Sequence, residues 1–205
     1  MDTSGICSIT PLRGINLSYG VEIERRFLVD GRDSKPWRNV PNLSKITQFY
    51  LDIDLFAIGN LQLFYGSIPI VEINETEGDL ISKENLSSAR LRLIDDKIIL
   101  SIKGRKNYDA AMEFEWELSE KPRGINLEDY PFVEKTRYFW LNTDGLTWEI
   151  DEFEGRLAGL VLAEVELDNS AQTIEIPEWV GSEITGLSQW SNSALAKNIE
   201  SSKQD

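Results

Sequence analysis

The chain has 205 residues, 41% of them hydrophobic, and a formal net charge of -14. This length supplies one substantial core and requires no second domain, so we predict a single globular domain. The negative charge disfavours nonspecific binding to nucleic acid or to an anionic membrane, because the average field of the protein repels both.

The reactive residue types limit the chemistry further. The sequence contains no histidine and a single cysteine, Cys7, so histidine-based catalysis and an internal disulfide are both excluded. Any metal would be held by carboxylates, which select Mg2+ or Mn2+ over zinc. No apolar run is long enough to span a membrane, and none follows a basic signal-peptide flank. We therefore expect a cytoplasmic protein.

The first quarter of the chain is predicted to be a lead-in followed by two strands. Residues 1–19 show little periodicity and are expected to be a flexible lead-in, with the domain spanning 20–200. A strand is predicted at 21–29, then a short helix or loop at 37–43, then a strand at 46–53.

The remaining chain is predicted to be mostly strand. Residues 55–88 alternate strand-like runs with glycine and proline, and we interpret them as an insertion or an extended hairpin. Helical character is expected at 127–133 and 188–199, the second capped by Ser191 or Asn192. The further strands are predicted at 89–95, 97–103, 111–118, 135–141, 146–152 and 160–167.

Charged residues recur on these strands with a period of two, which places them on one face of each strand. Eight or so antiparallel strands with few helices favour a mostly β (α+β) fold, an eight-stranded antiparallel β-barrel tunnel with a few flanking helices. The apolar residues would then face outward. The inward acids would be Glu22, Glu24, Glu113, Glu115, Glu149, Asp151, Glu164 and Glu166. The inward bases would be Arg26, Arg90, Arg92, Lys103, Lys135 and Arg137.

An alternative interpretation is that these charges lie on a solvated sheet face and form cross-strand ion pairs. Solvated faces usually mix threonine, serine, lysine and glutamine, whereas these strands carry doublets of one charge sign. Like charges two residues apart repel unless a group of opposite sign lies between them. A polyphosphate with a divalent metal supplies that group, since acids hold the metal and bases hold the phosphoryl oxygens.

An ordered series of motifs supports the tunnel interpretation. The series begins with Glu22-Ile23-Glu24-Arg25-Arg26, which is similar to an E-x-E-x-K strand. With this series the chain resembles the CYTH superfamily of triphosphate tunnel metalloenzymes, whose hallmark is an E-x-E-x-K strand. The remaining matching segments are 48–51, 89–93, 102–104, 113–115, 133–138, 148–151, 162–166 and 191–196.

The resemblance implies a tunnel that binds a triphosphate with one or two Mg2+ or Mn2+ ions. Glu113 and Glu115 would position a second metal or the attacking water, and Arg26 would form a catalytic pair with Tyr50. The implied phosphate-binding residues are Arg90, Arg92, Lys103, Lys135 and Arg137. The implied metal ligands are Glu22, Glu24, Asp151, Glu164 and Glu166.

The chain departs from the family pattern at two positions. Arg26 replaces the family lysine, and arginine does not readily release a proton, so a general-base role there is disfavoured. Ser193 replaces the lysine of a C-terminal N-K-A-L-like motif, which removes one cation. The stretch 55–88 is also longer than in a compact triphosphatase and would reshape the tunnel mouth or recognise a second chemical group.

The leading functional hypothesis is metal-dependent hydrolysis of a triphosphate, most simply inorganic tripolyphosphate. The alternatives are an adenylyl cyclase or thiamine triphosphatase of the same superfamily, and a non-catalytic module that binds a polyphosphate or nucleotide. The expected partner is a small-molecule triphosphate or nucleotide, with no nucleic acid and no membrane. A homodimer is left open.

Overall fold

The computed structural model describes residues 17–30, 34–105 and 110–201. Within these ranges the chain forms twelve strands and two α-helices. The first half contains β1 (Leu17–Val29), β2 (Leu43–Leu51), β3 (Phe56–Gly59), β4 (Gln62–Tyr65), β5 (Ile68–Glu72), α1 (Glu75–Lys83), β6 (Leu86–Ile94) and β7 (Lys97–Gly104). The second half contains β8 (Ala110–Leu118), β9 (Phe132–Leu141), β10 (Thr147–Phe153), β11 (Val161–Glu166), β12 (Val180–Glu183) and α2 (Asn192–Ser201).

Eight of the strands close into an antiparallel barrel, as the sequence predicts. Their order is β11-β10-β9-β2-β6-β7-β8-β1, and β1 also pairs with β11, which completes the ring. The 13-residue β1 is long enough to pair with β8 along residues 17–23 and with β11 along residues 24–28. Its last residues also pair with β12.

Several element boundaries differ from the sequence prediction. Strand β2 ends at Leu51 because Asp52 accepts a hydrogen bond from the amide of Asp54, 3.1 Å away, and starts a short 3-10 turn. The helix expected at 127–133 is only a 3-10 turn over Leu127–Asp129. Pro131 follows this turn and lacks the N–H that a continuing helix would need.

Most of the predicted lead-in, residues 1–16, lies outside the described residues. Strand β1 already begins at Leu17, inside the range 1–19. The β1–β8 pair of the barrel therefore includes residues 17–19, which were predicted to belong to the lead-in.

The insertion at 55–88 packs on the outside of the barrel. Strands β3, β4 and β5 form a separate three-stranded sheet, and α1 follows behind an Asn74–Glu77 capping box. Buried Leu63 and Ile81 of the insertion join one hydrophobic cluster with Leu91 and Phe114 of the barrel. This cluster fixes the insertion against the apolar outer face of β6, β7 and β8.

A further apolar cluster lies inside the barrel at one end. It contains Val133 and Leu162, which occupy inner-face positions, together with Leu195 and Ala196 of α2. The inner face of the barrel therefore changes from charged to apolar along its length, and α2 packs against the apolar end. None of the helices in the described ranges is long and apolar enough to cross a bilayer.

Candidate active site

The barrel encloses a cavity of about 600 Å3. Its walls come from the inner faces of the strands and from the loop between β12 and α2. Of the residues that the structure describes, five bases line it, namely Arg26, Arg90, Arg92, Lys103 and Arg137. Seven acids line it, namely Glu22, Glu24, Glu113, Glu115, Glu149, Glu164 and Glu166. Twelve of the fourteen charged residues predicted to face inward are thus brought together around one space.

One network of ion pairs covers the wall formed by β6, β7 and β8. Arg90 Nη2 lies 2.8 Å from Glu113 Oε1 and 3.9 Å from Glu115 Oε1. Arg92 contacts Glu115, and Ser101 Oγ accepts from Arg92 at 3.0 Å and donates to Glu115 at 2.6 Å. Each guanidinium in this wall therefore has a carboxylate partner.

Lys103 connects this network to the first strand. Its Nζ contacts the Glu22 carboxylate and lies 3.2 Å from Glu113 Oε2. Burial and the nearby Arg90 lower the pKa of Lys103, but Glu22 and Glu113 outweigh them and the net shift is upward. Lys103 is therefore a cation at neutral pH.

A second network covers the wall formed by β1, β9, β10 and β11. Arg26 Nε lies 2.6 Å from Glu164 Oε1, and Arg137 Nη2 lies 3.1 Å from Glu164 Oε2. Arg137 also contacts Glu149 and donates two hydrogen bonds of 2.7 Å to Asp151. Glu164 thus links Arg26 of β1 to Arg137 of β9, and Asp151 holds Arg137 further.

Lys135 and Asp151 do not line the cavity, although the sequence analysis placed them in the phosphate and metal sites. Lys135 is 2% exposed and Asp151 is 1% exposed, and they form an ion pair with each other. The Lys135 ammonium also lies 5.8 Å from the ring centroid of Phe153. They lie behind Arg137, where the charged lining gives way to the apolar end of the barrel.

In the cavity wall, bases lie close to other bases and acids lie close to other acids. Burial and the adjacent Arg90 lower the pKa of Arg92 to about 10. Burial and the carboxylates of Glu149, Glu22 and Glu24 raise the pKa of Glu166 to about 7. An anion beside the arginines and a cation beside the glutamates would relieve both effects.

Tyr50 lines the cavity from β2, and its hydroxyl accepts a hydrogen bond from Gln48 Nε2. Burial raises the pKa of Tyr50, and the nearby Arg90 and Arg26 offset only part of that effect. The phenol therefore stays protonated at neutral pH and can donate a hydrogen bond. Arg26 cannot act as a base either: burial lowers its pKa, but Glu164 and Glu24 outweigh burial and raise it.

The carboxylates of β8 are suited to holding a water molecule or a cation in a fixed orientation. Burial raises the pKa of Glu115, but Arg92 and the Ser101 hydroxyl outweigh it, so the carboxylate stays ionised and is a weak base. At such a position a carboxylate holds a water molecule or a cation more readily than it removes a proton.

The loop that follows β12 and the start of α2 complete the cavity wall. Ser191 Oγ lies 3.1 Å from Ser193 Oγ and accepts from the amide of Ala194 at 3.2 Å, which confirms Ser191 as the helix cap. Ser193, which replaces a lysine of the family pattern, faces the cavity. The hydroxyls here contribute hydrogen bonding without a positive charge.

The donor set fits a divalent cation that is held jointly with a ligand. Glu24 and Glu166 are register partners across β1 and β11, and burial with the neighbouring carboxylates raises the pKa of Glu166. In the described part of the chain, no three carboxylates converge closely enough to hold a metal by themselves. Mg2+ characteristically uses one or two carboxylates together with phosphate oxygens and water, so these residues suit it.

Two groups of residues at the site were not predicted from the sequence: the buried Ser101, which supports the cavity wall, and part of the cavity lining itself. Ser101 bridges Arg92 and Glu115, and its position two residues before Lys103 is the signal that could have identified it. The loop residues Ile184, Gly186, Leu187 and Ser188 carry no period-two pattern, and only the folded chain brings them to the cavity.

The fold and the cavity together define a closed β-tunnel protein with a charged interior. The chain is 39% identical over 114 residues to an inorganic triphosphatase of Acetivibrio thermocellus, covering 54% of this chain and 72% of that protein. It is 44% identical over 69 residues to an inorganic triphosphatase of Nitrosomonas europaea, covering 33% of this chain and 46% of that protein. The chain therefore belongs to the inorganic triphosphatase family.

A crystal structure of an inorganic triphosphatase matches 85% of this chain and 93% of its own, with 25% identity and a TM-score of 0.48. No protein-family model matches the chain.

Proposed function

We propose that this protein is a metal-dependent triphosphatase of the CYTH superfamily that hydrolyses inorganic tripolyphosphate. The observation that carries the proposal is the cavity itself, in which five bases and seven acids surround about 600 Å3. A metal-bound triphosphate supplies negative charge to the bases and positive charge to the acids, and few other small molecules do both.

The bases would hold the phosphoryl oxygens. Arg90, Arg92 and Lys103 approach from one wall, while Arg26 and Arg137 approach from the other. Their present carboxylate partners occupy the positions that phosphoryl oxygens would take, so ligand binding would exchange carboxylate contacts for phosphate contacts. Guanidinium groups suit this exchange because they bind two oxygens of a planar or tetrahedral anion at once.

The acids would hold Mg2+ or Mn2+. Glu22, Glu24 and Glu166 on β1 and β11 are the proposed ligands, with Glu164 beside them. When bound, the cation would neutralise phosphoryl charge and lower the pKa of a bound water. Asp151 has both carboxylate oxygens occupied by Arg137 and Lys135, so we propose for it a supporting role.

The chain's own groups would then act on the reacting phosphoryl group. The arginines and Lys103 would stabilise charge that spreads over its oxygens, which is the main requirement of phosphoryl transfer. Glu113 and Glu115, released from Arg90 and Arg92, would orient the attacking water. Tyr50 would donate a hydrogen bond and, with Arg26, stabilise charge without taking a proton.

The position of the insertion favours an inorganic substrate over a nucleotide or thiamine triphosphate. Of residues 55–88, only Ser87 and Ser88 line the cavity, and both belong to strand β6. Tyr50 is the one aromatic residue among the described lining residues, so no aromatic pair is present to sandwich an organic ring. The cavity lining thus gives no support to recognition of a second chemical group by residues 55–88.

The test is phosphate release from tripolyphosphate, ATP and thiamine triphosphate, each with Mg2+ or Mn2+ and with EDTA. Wild type would be compared with Glu24→Gln and Arg90→Ala. We expect metal-dependent turnover that is fastest with tripolyphosphate and lost in both variants. A triphosphate-dependent thermal shift without turnover of any substrate would instead indicate a binding module.

A further inference from the structure

Gln48 is a buried polar residue of the barrel interior that the proposed function does not yet use. It lies on β2, two residues before Tyr50, and is 1% exposed. It does not line the cavity, whereas Tyr50 does. A buried amide is unfavourable unless it forms hydrogen bonds, so its contacts indicate why it is there.

The Gln48 side chain donates from Nε2 to the hydroxyl oxygen of Tyr50. Residues two apart on a strand share a face, so the pair is a direct consequence of the sequence spacing. Gln48 is therefore hidden from the cavity and contacts the hydroxyl of Tyr50, the part of that side chain that can donate a hydrogen bond.

This contact fixes what the Tyr50 hydroxyl can offer to a ligand. A protonated phenol has one O–H to donate, and its oxygen here already accepts from Gln48. Arg90 faces Tyr50 in the register of β2 and β6, and a guanidinium only donates. Neither of these two contacts accepts the Tyr50 O–H, and a phosphoryl oxygen in the cavity would supply an acceptor for it.

We propose that Gln48 is a positioning residue that holds the Tyr50 hydroxyl as a hydrogen-bond donor to a phosphoryl oxygen of the bound triphosphate. The proposal rests on the proposed function, because it requires a triphosphate in the cavity. Gln48 itself touches no substrate and acts only through Tyr50.

The test is a double-mutant cycle of Gln48→Met and Tyr50→Phe, with Gln48→Glu as a third variant. Methionine keeps the volume of glutamine and removes its donor, so Gln48→Met should lower kcat about tenfold, the rate equivalent of one hydrogen bond, with little change in KM. In the Tyr50→Phe background the same change should have no further effect. Gln48→Glu places a carboxylate beside the Tyr50 hydroxyl. An ionised carboxylate only accepts hydrogen bonds, so the loss of kcat in this variant should be larger at high pH than at low pH.

Thermal unfolding of each variant distinguishes a loss of kcat caused by a misplaced Tyr50 hydroxyl from one caused by a less stable fold. An equal loss from Gln48→Met in both backgrounds, or full kcat in Tyr50→Phe, would overturn the proposal. If the wild-type protein releases no phosphate, the proposed triphosphatase function is wrong, but the role of Gln48 can still be tested. The cycle is then decided by calorimetric binding of tripolyphosphate, which Gln48→Met should weaken only when Tyr50 is present.

Discussion

Glu24 on β1 and Glu166 on β11 lie directly opposite each other in the strand pair that closes the barrel. Like charges at such positions destabilise a sheet, and here two further acids, Glu22 and Glu149, raise the pKa of Glu166 alongside burial and Glu24. The barrel thus closes with repelling carboxylates facing each other, a cost that a bound cation would remove.

This arrangement predicts how stability depends on pH when no metal is bound. The pKa of Glu166 is about 7 in the folded protein and about 4.3 in an unfolded chain, so the folded state binds the proton more tightly. Its contribution therefore favours folding in acid and is lost as pH rises through about 7. Glu166→Gln should raise the Tm in EDTA more at pH 8 than at pH 5.

The control for that experiment is Glu120→Gln, because the Glu120 side chain is 63% exposed and far from the cavity lining. Glu120→Gln should leave the pH dependence of the Tm unchanged. An equal Tm gain from Glu166→Gln at both pH values would show that ionisation of Glu166 does not destabilise the folded protein.

Metal and triphosphate should stabilise the protein cooperatively. No three carboxylates of the described residues form a metal site alone, and the bases are already paired with acids, so each ligand needs the other. We expect a small thermal shift with Mg2+ or tripolyphosphate alone and a larger-than-additive shift with both. Additive shifts would argue for independent sites. Differential scanning fluorimetry over a grid of both concentrations measures this.

Arg90 should be essential for turnover and dispensable for folding. Arg90→Ala removes a guanidinium from the cavity wall, while Glu113 keeps its contact with Lys103. We expect a loss in kcat on the order of 10²- to 10³-fold, as for removal of other groups that stabilise a transition state. Arg123→Ala is the matched control, since Arg123 is 85% exposed and should be silent. Steady-state phosphate release and circular dichroism measure both effects.

Asp151 should matter chiefly for stability. Asp151→Asn leaves Lys135 and Arg137 without their shared counter-charge at a site that is 1% exposed. Removing one partner of a buried ion pair typically costs about 3–5 kcal/mol, which urea denaturation would measure. Asp79→Asn, at an exposed position on α1, is the control and should change stability by less than about 0.5 kcal/mol. A stable Asp151→Asn protein with weakened metal response would restore Asp151 to the metal site.

The insertion should contribute to stability without affecting substrate choice. Leu63 is 1% exposed and belongs to the cluster that joins the insertion to the barrel, so Leu63→Ala should cost about 2–5 kcal/mol. The ratio of tripolyphosphate to ATP turnover should stay the same, measured well below the melting temperature. A changed ratio would show that the insertion reaches the ligand.

The barrel and most of its charged lining were predictable because both depend on a period of two. Alternation alone assigned residues such as Arg90 and Glu113 to the inner face, and the structure places them there. Alternation does not determine depth along the barrel axis, however. Lys135 and Asp151 share the inner face but lie where α2 and its apolar residues take up the space.

Other features depended on local signals that the sequence contained. The Asn74 and Glu77 spacing is a capping box and marks the start of α1 within the stretch interpreted as a hairpin. Gln48 lies within the matching segment 48–51, and its spacing from Tyr50 indicates a shared face. Its hydrogen bond to Tyr50 could not be predicted, because only packing determines which inner-face groups are hidden behind others.

The closing strand has a consequence for how the protein folds. Strand β1 is the first strand in the sequence, whereas its partners β11 and β12 are the last two. The amide of Arg26 donates a hydrogen bond to Thr185 Oγ1, which is 159 residues away in the sequence. Contacts so distant along the chain slow folding, because the chain must lose much entropy before they form. This late contact closes the cavity wall between β1 and β11. A truncated or partly synthesised chain would therefore have no binding site, even if most of its strands had already paired.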